Sequence, residues 1–567
     1  MTTKRNLLSV FFRKNSTVLL FTFASGLLGS LSTLLLSIFI GKYYQLVFHT
    51  HSPRGKLFDR FLISLNDLNS FFILFGVLIL VKAFFTFFEK YLSGYGSEIF
   101  SRDLREKLFA TQLAFTILSI EKKSAGKYLL RYSGDLNAIQ RYVMHGIMRF
   151  GIDILFLTVA LCLLVVINLQ LSLIVITGIL VFFPLTFFLS KYLQRLTIKR
   201  RNIRSELLAF VSSRLHGMLT VKLFNREPIE VVKFKKGSGK LFRYGKKYFR
   251  MFGLINVLFP LFLYGLLGAV MYYVALLKSR TSEEFHGPEL LVFVMVLLNL
   301  LPLFRRILAV NVIWQAGNVS FTKILRIFNS ETEQNEKASA FRFEYGNIEI
   351  GDLAFSYPGQ PNILERFNFS IPSNNITAVC GPQGSGKSTL LKIIIGLYQP
   401  KQGEIRIDGH VLNELDPFMI RKNITLMSDE VPLIGGTIFE AISYSRKEEK
   451  REQAKSILEK LSFPLKDTWD RTLDYRIEEG GRGLSTGERK LLQIARTILT
   501  NKKIILLDEP FHGLDEDARQ ILIAQLIELR SNHTILIAAS EIVSGLTVDE
   551  AIYLPLANVR MNHHVSV

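Results

Sequence analysis

The sequence predicts an α-helical membrane bundle of six transmembrane helices followed by a soluble α/β domain. Three observations carry that expectation. Mean hydropathy is +0.27 over 567 residues, too apolar for a disordered chain or an ordinary soluble enzyme. The long uncharged runs all fall before residue 305. Charge divides near the same place: residues 1–330 carry 42 basic and 15 acidic side chains, and residues 331–567 carry 27 and 33. A basic excess in the greasy half fits membrane loops better than a nucleic-acid surface, so no nucleic-acid partner is expected. Two cysteines, Cys162 and Cys380, exclude a disulfide framework.

A transmembrane helix needs about 20 apolar residues to cross a hydrocarbon layer ~30 Å thick. Residues 15–41 and 251–277 are uncharged, and residues 154–190 form one uncharged run of 37. That run is too long for one span, and Asn168-Leu169-Gln170 divides it into a hairpin. Leu68 to Phe88, interrupted by Lys82, and Leu290 to Phe304, followed by Arg305 and Arg306, complete six spans. Residues 191–250 hold 17 Lys/Arg and three acids. The positive-inside rule then places this connection and both termini in the cytoplasm of a multi-pass protein of the cell (inner) membrane. Glu98–Thr111 and Ser205–Lys222 are helix-compatible, so the helices are expected to continue past the bilayer; a disordered basic loop is the alternative.

The expected division is a membrane domain over 1–328, a polar linker over 329–340 and the α/β domain over 341–567. In the last, Ile348–Ile350 and Ile376–Cys380 read as strands. The second leads into Gly381-Pro382-Gln383-Gly384-Ser385-Gly386-Lys387-Ser388-Thr389 and an apolar helical run. This is G-x-x-x-x-G-K-[ST] in its required strand–loop–helix setting. Its glycines let backbone N–H groups curl around phosphate oxygens at a helix N-terminus. Lys387 would reach the β/γ-phosphates of ATP, and the Ser388 hydroxyl would ligate Mg²⁺. Ile504-Ile505-Leu506-Leu507-Asp508-Glu509 is an apolar strand ending in two carboxylates. Asp508 suits the Mg²⁺ and Glu509 the attacking water.

Between these motifs, Leu484-Ser485-Thr486-Gly487-Glu488 resembles the LSGGQ signature of ATP-binding-cassette (ABC) proteins. Tyr357, 24 residues before Gly381, lies where that family stacks an aromatic ring on adenine. His512-Gly513-Leu514-Asp515 matches the D-loop; Gly126–Asp135 and Lys222–Glu227 look like the family's two intracellular loops. The resemblance implies an exporter-type half-transporter, six spans fused to a P-loop NTPase domain of ABC type. It also implies pairing with a second half-transporter, with Ser485, Thr486, Gly487 and Glu488 touching the partner's ATP.

Two family residues are missing. The position of the Q-loop glutamine, counted back from Gly436-Thr437-Ile438, holds Asp429, a hard oxygen donor that could ligate Mg²⁺ or remain a surface acid. The switch-histidine position holds Ser540, which can hydrogen-bond a phosphate but cannot carry a positive charge. His533, His563 and His564 lie elsewhere and do not replace it. Losing such a group can cost about 10²–10³ in rate. The expectation is an ATPase that exports or flips cargo, with a weakened site that favours a heterodimer over a homodimer. The alternative is a mainly ATP-binding regulatory half.

Cargo is marked only by charge. Arg305, Arg306 and Lys82 are expected to line an inward cavity for an anionic or amphipathic small molecule, lipid or peptide, because intramembrane cations usually face a cavity or a partner. Snorkelling, or pairing with Glu89, is the alternative.

Overall fold

The computed structural model describes residues 2–48, 67–121, 128, 131–280, 287–333, 343–434, 436–444, 448–465 and 467–555. Gly126, linker residues 334–340, His563 and His564 lie outside the described residues. The chain forms two compact units: residues 1–113 with 124–330, and residues 114–123 with 331–567.

In the first unit, six helices are long and apolar enough to cross a membrane. They run over Ser16–Phe48, Leu68–Leu113, Arg131–Ile167, Leu169–Leu215, Glu227–Leu277 and Gly287–Phe328. At ~1.5 Å per residue even the shortest is roughly 50 Å long, so each outreaches the hydrocarbon layer. The hairpin falls where the sequence breaks: Asn168 leaves the helical region (φ −158°, ψ 116°) and its side chain accepts the Leu171 N–H at 3.0 Å. The third span begins with π-helical turns over Arg131–Asp135 and Tyr142–Arg149. Small residues bring the first and third spans together. A Cβ at Gly26 would lie 2.5 Å from Ile152, and one at Gly151 would lie 2.7 Å from Phe23.

Two buried acids inside this bundle are paired. Asp153, 3% exposed, receives the Arg306 guanidinium on both oxygens at 2.8–3.2 Å and Arg149 at 3.3 Å. Arg149 also holds the buried Glu89. The exposed Arg305 donates to Asn256 at 2.6 Å, and Lys82 is half-buried.

The second unit is built on two sheets. Strands β1 (Ile348–Phe355), β2 (Leu364–Ile371), β4 (Gln402–Ile407) and β5 (His410–Val411) form an antiparallel sheet ordered β2-β1-β4-β5. Strands β3 (Ile376–Cys380), β6 (Ile424–Met427), β9 (Ile504–Asp508), β10 (Thr534–Ala539) and β11 (Glu550–Tyr553) form a parallel sheet ordered β11-β3-β10-β9-β6. Every residue of β3 and β10 is buried, as expected of strands covered on both faces. The remaining pair, β7 (Gly436–Thr437) with β8 (Arg476–Ile477), is antiparallel. The segment following Leu113, placed by sequence within the membrane domain, packs with this unit. Phe115 bridges Thr332, Glu333 N–H donates to the Ala114 carbonyl at 2.8 Å, and Ile117 and Leu118 lie against the core.

Candidate nucleotide site

Register decides where the chemistry sits. Strand β10 lies between β3 and β9, pairing Ala538 with both Val379 and Asp508, and Ala539 with Cys380. The residues that follow these strands, Gly381, Glu509 and Ser540, therefore emerge together at the carboxyl edge of the sheet. Open α/β sheets bind their ligands at that edge.

The loop after β3 fits a polyphosphate. Gly384 and Gly386 have φ of 88° and 97°, a region that favours glycine. A Cβ at Gly381 would meet the Leu554 carbonyl at 2.6 Å, and one at Gly386 would meet Ile363 at 2.8 Å. Pro382, Gln383 and Gly384 are exposed, while Ser385 is buried with no hydrogen-bond partner for its hydroxyl among the described residues. An orphaned buried hydroxyl inside a glycine cradle is what a phosphate oxygen would satisfy. The helix Lys387–Ile394 begins at once, its N-terminal N–H groups facing the cradle. The Lys387 ammonium is 7% exposed and donates to the Gly381 and Pro382 carbonyls at 2.7 and 3.2 Å; it lies 3.9 Å from Glu509.

Ser388 and Asp508 meet directly, the hydroxyl donating to one carboxylate oxygen at 3.0 Å. Ser428, which the sequence reading missed, donates to the other at 3.1 Å. Burial pushes the Asp508 carboxyl above its ordinary value, the two hydroxyls pull it down, and Glu509 and Glu430 push it up again. Ser388 and Asp508 fit Mg²⁺, which would supply charge neutralisation to phosphate oxygens when bound. The acid form of Asp508 thus persists to higher pH than an ordinary aspartic acid. Ser428→Ala removes a donor to the carboxylate, so the acid limb of Mg²⁺-dependent ATP binding should move to higher pH. A pH titration of fluorescent-nucleotide binding checks this; an unmoved limb would dissociate Ser428 from Asp508.

Glu509 has φ +47°, a left-handed conformation uncommon outside glycine, and its N–H is fixed to the Ala538 carbonyl at 2.8 Å. Its carboxylate accepts from the Ser540 hydroxyl at 3.1 Å. The structure thus brings Lys387, Ser388, Asp508, Glu509 and Ser540 together. His533 is elsewhere, against the Lys502 carbonyl at 2.8 Å. Tyr357 packs edge-on to Phe355 and Tyr398, with its hydroxyl 3.2 Å from Thr389 at the head of the loop helix.

Asp429 is engaged elsewhere than at the Ser388–Asp508 pair. It accepts from Lys490 at 2.9 Å, and the same ammonium, on a side chain 2% exposed, donates to the Glu509 carbonyl at 3.1 Å. Lys490 lies on the signature helix Thr486–Leu499, two residues beyond Glu488. The signal available in sequence was the opposite charge of Asp429 and Lys490, both beside departures from the family pattern. Exposed Ser485 caps that helix, its hydroxyl accepting the Glu488 N–H at 3.1 Å while Glu488 accepts the Ser485 N–H at 2.7 Å. Glutamate at the fifth signature position thus completes a capping box and leaves Ser485 and Thr486 facing outward. Asp515 of the D-loop caps the next helix through the Ala518 N–H at 2.9 Å.

The family model described as the ABC transporter transmembrane region matches residues 17–301, and the one described as ABC transporter matches residues 364–512. The chain belongs to the ABC transporter family. It is an exporter-type half-transporter and an ATPase. It is 26% identical over 483 residues to the ATP-dependent lipid A-core flippase of Escherichia coli O6:K15:H31, covering 84% of this chain and 82% of that protein. The flippase of the same name from Escherichia coli K12 is 27% identical over 457 residues, 79% and 77% of the two chains. The solved structure of a bacterial Atm1-family ABC exporter with ATP bound superposes with a TM-score of 0.80, at 18% identity, over 96% of this ABC transporter and 94% of that chain.

Proposed function

We propose that this half-transporter pairs with a second half to export or flip an anionic amphipathic cargo, a lipid foremost, across the inner membrane with both termini in the cytoplasm. The observation that carries the reading is the convergence of Lys387, Ser388, Asp508 and Glu509 behind the glycine cradle. In it, Lys387 exchanges the loop carbonyls for phosphate oxygens, Ser388 and Asp508 hold Mg²⁺, and Glu509 orients the attacking water. Tyr357 meets the adenine end of ATP. Ser485 and the Gly487 backbone of one half close on the phosphate held by the other, so ATP favours the paired state and hydrolysis releases it. Likeness to lipid A-core flippases supports a lipid cargo, and 17 cations between the fourth and fifth spans support the orientation.

A second reading, a regulatory half that binds ATP and turns it over poorly within a heterodimer, draws on Ser540 and on Asp429 being held by Lys490. Reconstitution separates the two. The chain alone, in liposomes with headgroup-labelled phosphatidylglycerol, should hydrolyse ATP and move the label between leaflets. Tight ATP binding without turnover, relieved only by adding a second half, would replace the first reading with the second.

A further inference from the structure

We infer that the fourth and fifth spanning helices build a docking site for a lipid headgroup carrying more than one anionic group, at the membrane surface below the fifth span. A recess of about 570 Å³ is lined by Lys240, Arg243, Tyr244, Lys246, Lys247 and Arg250. On a helix, positions 240, 243, 247 and 250 share one face, so four of these cations form a stripe. The facing helix adds two more: Lys199 lies 5.8 Å from the Tyr244 ring centre, as does Lys247, and Arg200 lies 5.1 Å from Tyr248 and 5.2 Å from Phe249. Two ammonium groups thus converge on the Tyr244 ring.

No acid offsets them along the chain. Between Glu230 and Glu283 the sequence has no Asp or Glu, and Glu230 is committed to Arg214 and Lys233. On the facing helix Glu206 is the one acid. It adjoins Leu207, which meets Gly237, so it sits about a turn before the stripe begins. Like charges gathered on rigid helices without a counter-charge are what an anion relieves.

Position and length identify the anion. The uncharged run from Met251 starts directly after Arg250, so the stripe abuts the headgroup layer. That layer is roughly 5–8 Å deep on each side of a bilayer. Lys240 to Arg250 spans about 15 Å along the helix, so Lys247 and Arg250 fall within that layer and Arg243 and Lys240 lie beneath it, where only a headgroup bearing phosphate beyond a single phosphodiester reaches. Tyr244, Tyr248 and Phe249 provide the aromatic belt typical of this depth. The site therefore matches a headgroup with two or more phosphates.

The full chain, purified in detergent, tests this by native mass spectrometry after incubation with cardiolipin, phosphatidylinositol 4,5-bisphosphate, phosphatidylglycerol or phosphatidylcholine. The multiply charged lipids should be retained at least roughly tenfold over phosphatidylglycerol. Arg243→Glu with Lys247→Glu should lose that retention, by about 25-fold if each cation is worth about fivefold. Arg243→Lys with Lys247→Arg should keep it, as should Lys235→Glu with Lys236→Glu, which alters equal charge on the same helix outside the recess. Displacement by free inositol hexakisphosphate but not by phosphatidylglycerol vesicles would confirm recognition of clustered phosphate. Equal retention of all anionic lipids, equal loss in both charge-reversed variants, or capture of the soluble polyphosphate alone would overturn the proposal.

Discussion

Glu509→Gln should lower ATP turnover by about 10²–10⁴-fold while leaving ATP affinity within a few-fold of the parent. The amide matches the carboxylate in shape and can still accept from Ser540, whose hydroxyl now donates to Glu509 at 3.1 Å. It also leaves untouched the backbone bond to Ala538 that fixes the left-handed conformation. What it removes is the negative charge that, on the proposed role, draws a proton from water. Steady-state phosphate release and equilibrium binding of a fluorescent ATP analogue, on one preparation, read the two quantities separately. Turnover within a few-fold of the parent would exclude Glu509 as the group acting on water. Ser540→His makes the complementary change beside it, and a gain in turnover there would show that the serine limits the rate.

Asp153→Ala should destabilise the membrane unit by about 1–3 kcal/mol, the range for removing one partner of a largely buried hydrogen-bonded group. The aspartate is nearly sealed from solvent and takes Arg306 on both oxygens and Arg149 on one side. Removing it strands the Arg306 guanidinium and leaves Arg149 with Glu89 alone. Since folded proteins are stable by only about 5–15 kcal/mol, much of the variant should be lost on extraction. Fluorescence-detected size exclusion after stepwise heating measures this. Asp153→Leu combined with Arg306→Met should recover much of the loss, because the apolar pair removes the guanidinium that the single substitution leaves without its acid. Parent-like stability of Asp153→Ala would mean the network carries no stability.

The same network explains which readings were open to sequence alone. The glycine loop, the strand ending in Asp508 and Glu509, and the break at Asn168 are local patterns, each complete within a dozen residues, and all three were legible. The helical continuation beyond the bilayer was legible too, because the basic stretches contain few breakers. Partnerships across the chain were not. Arg306 finds Asp153 across 153 positions, Ser428 finds Asp508 across 80, and Lys490 finds Asp429 across 61. Arg306 was expected to line a cavity because an intramembrane cation demands an answer. Here that answer is Asp153, the residue immediately before the uncharged run 154–190. Lys490 was passed over for another reason: a lysine in the first turns of an amphipathic helix reads as solvated until Asp429 and the Glu509 carbonyl are found on it.

The segment that begins at Ala114 has a practical consequence for anyone who wishes to study ATP chemistry apart from the bilayer. A cassette expressed from residue 343 onward would be born without Ile117 and Leu118, which cover part of its core, and without Phe115 and Thr332 joined at its border. Such a fragment would carry a bald greasy spot and tend to clump. Supplying residues 114–121 as a peptide, or grafting them through a short tether, should keep it in solution.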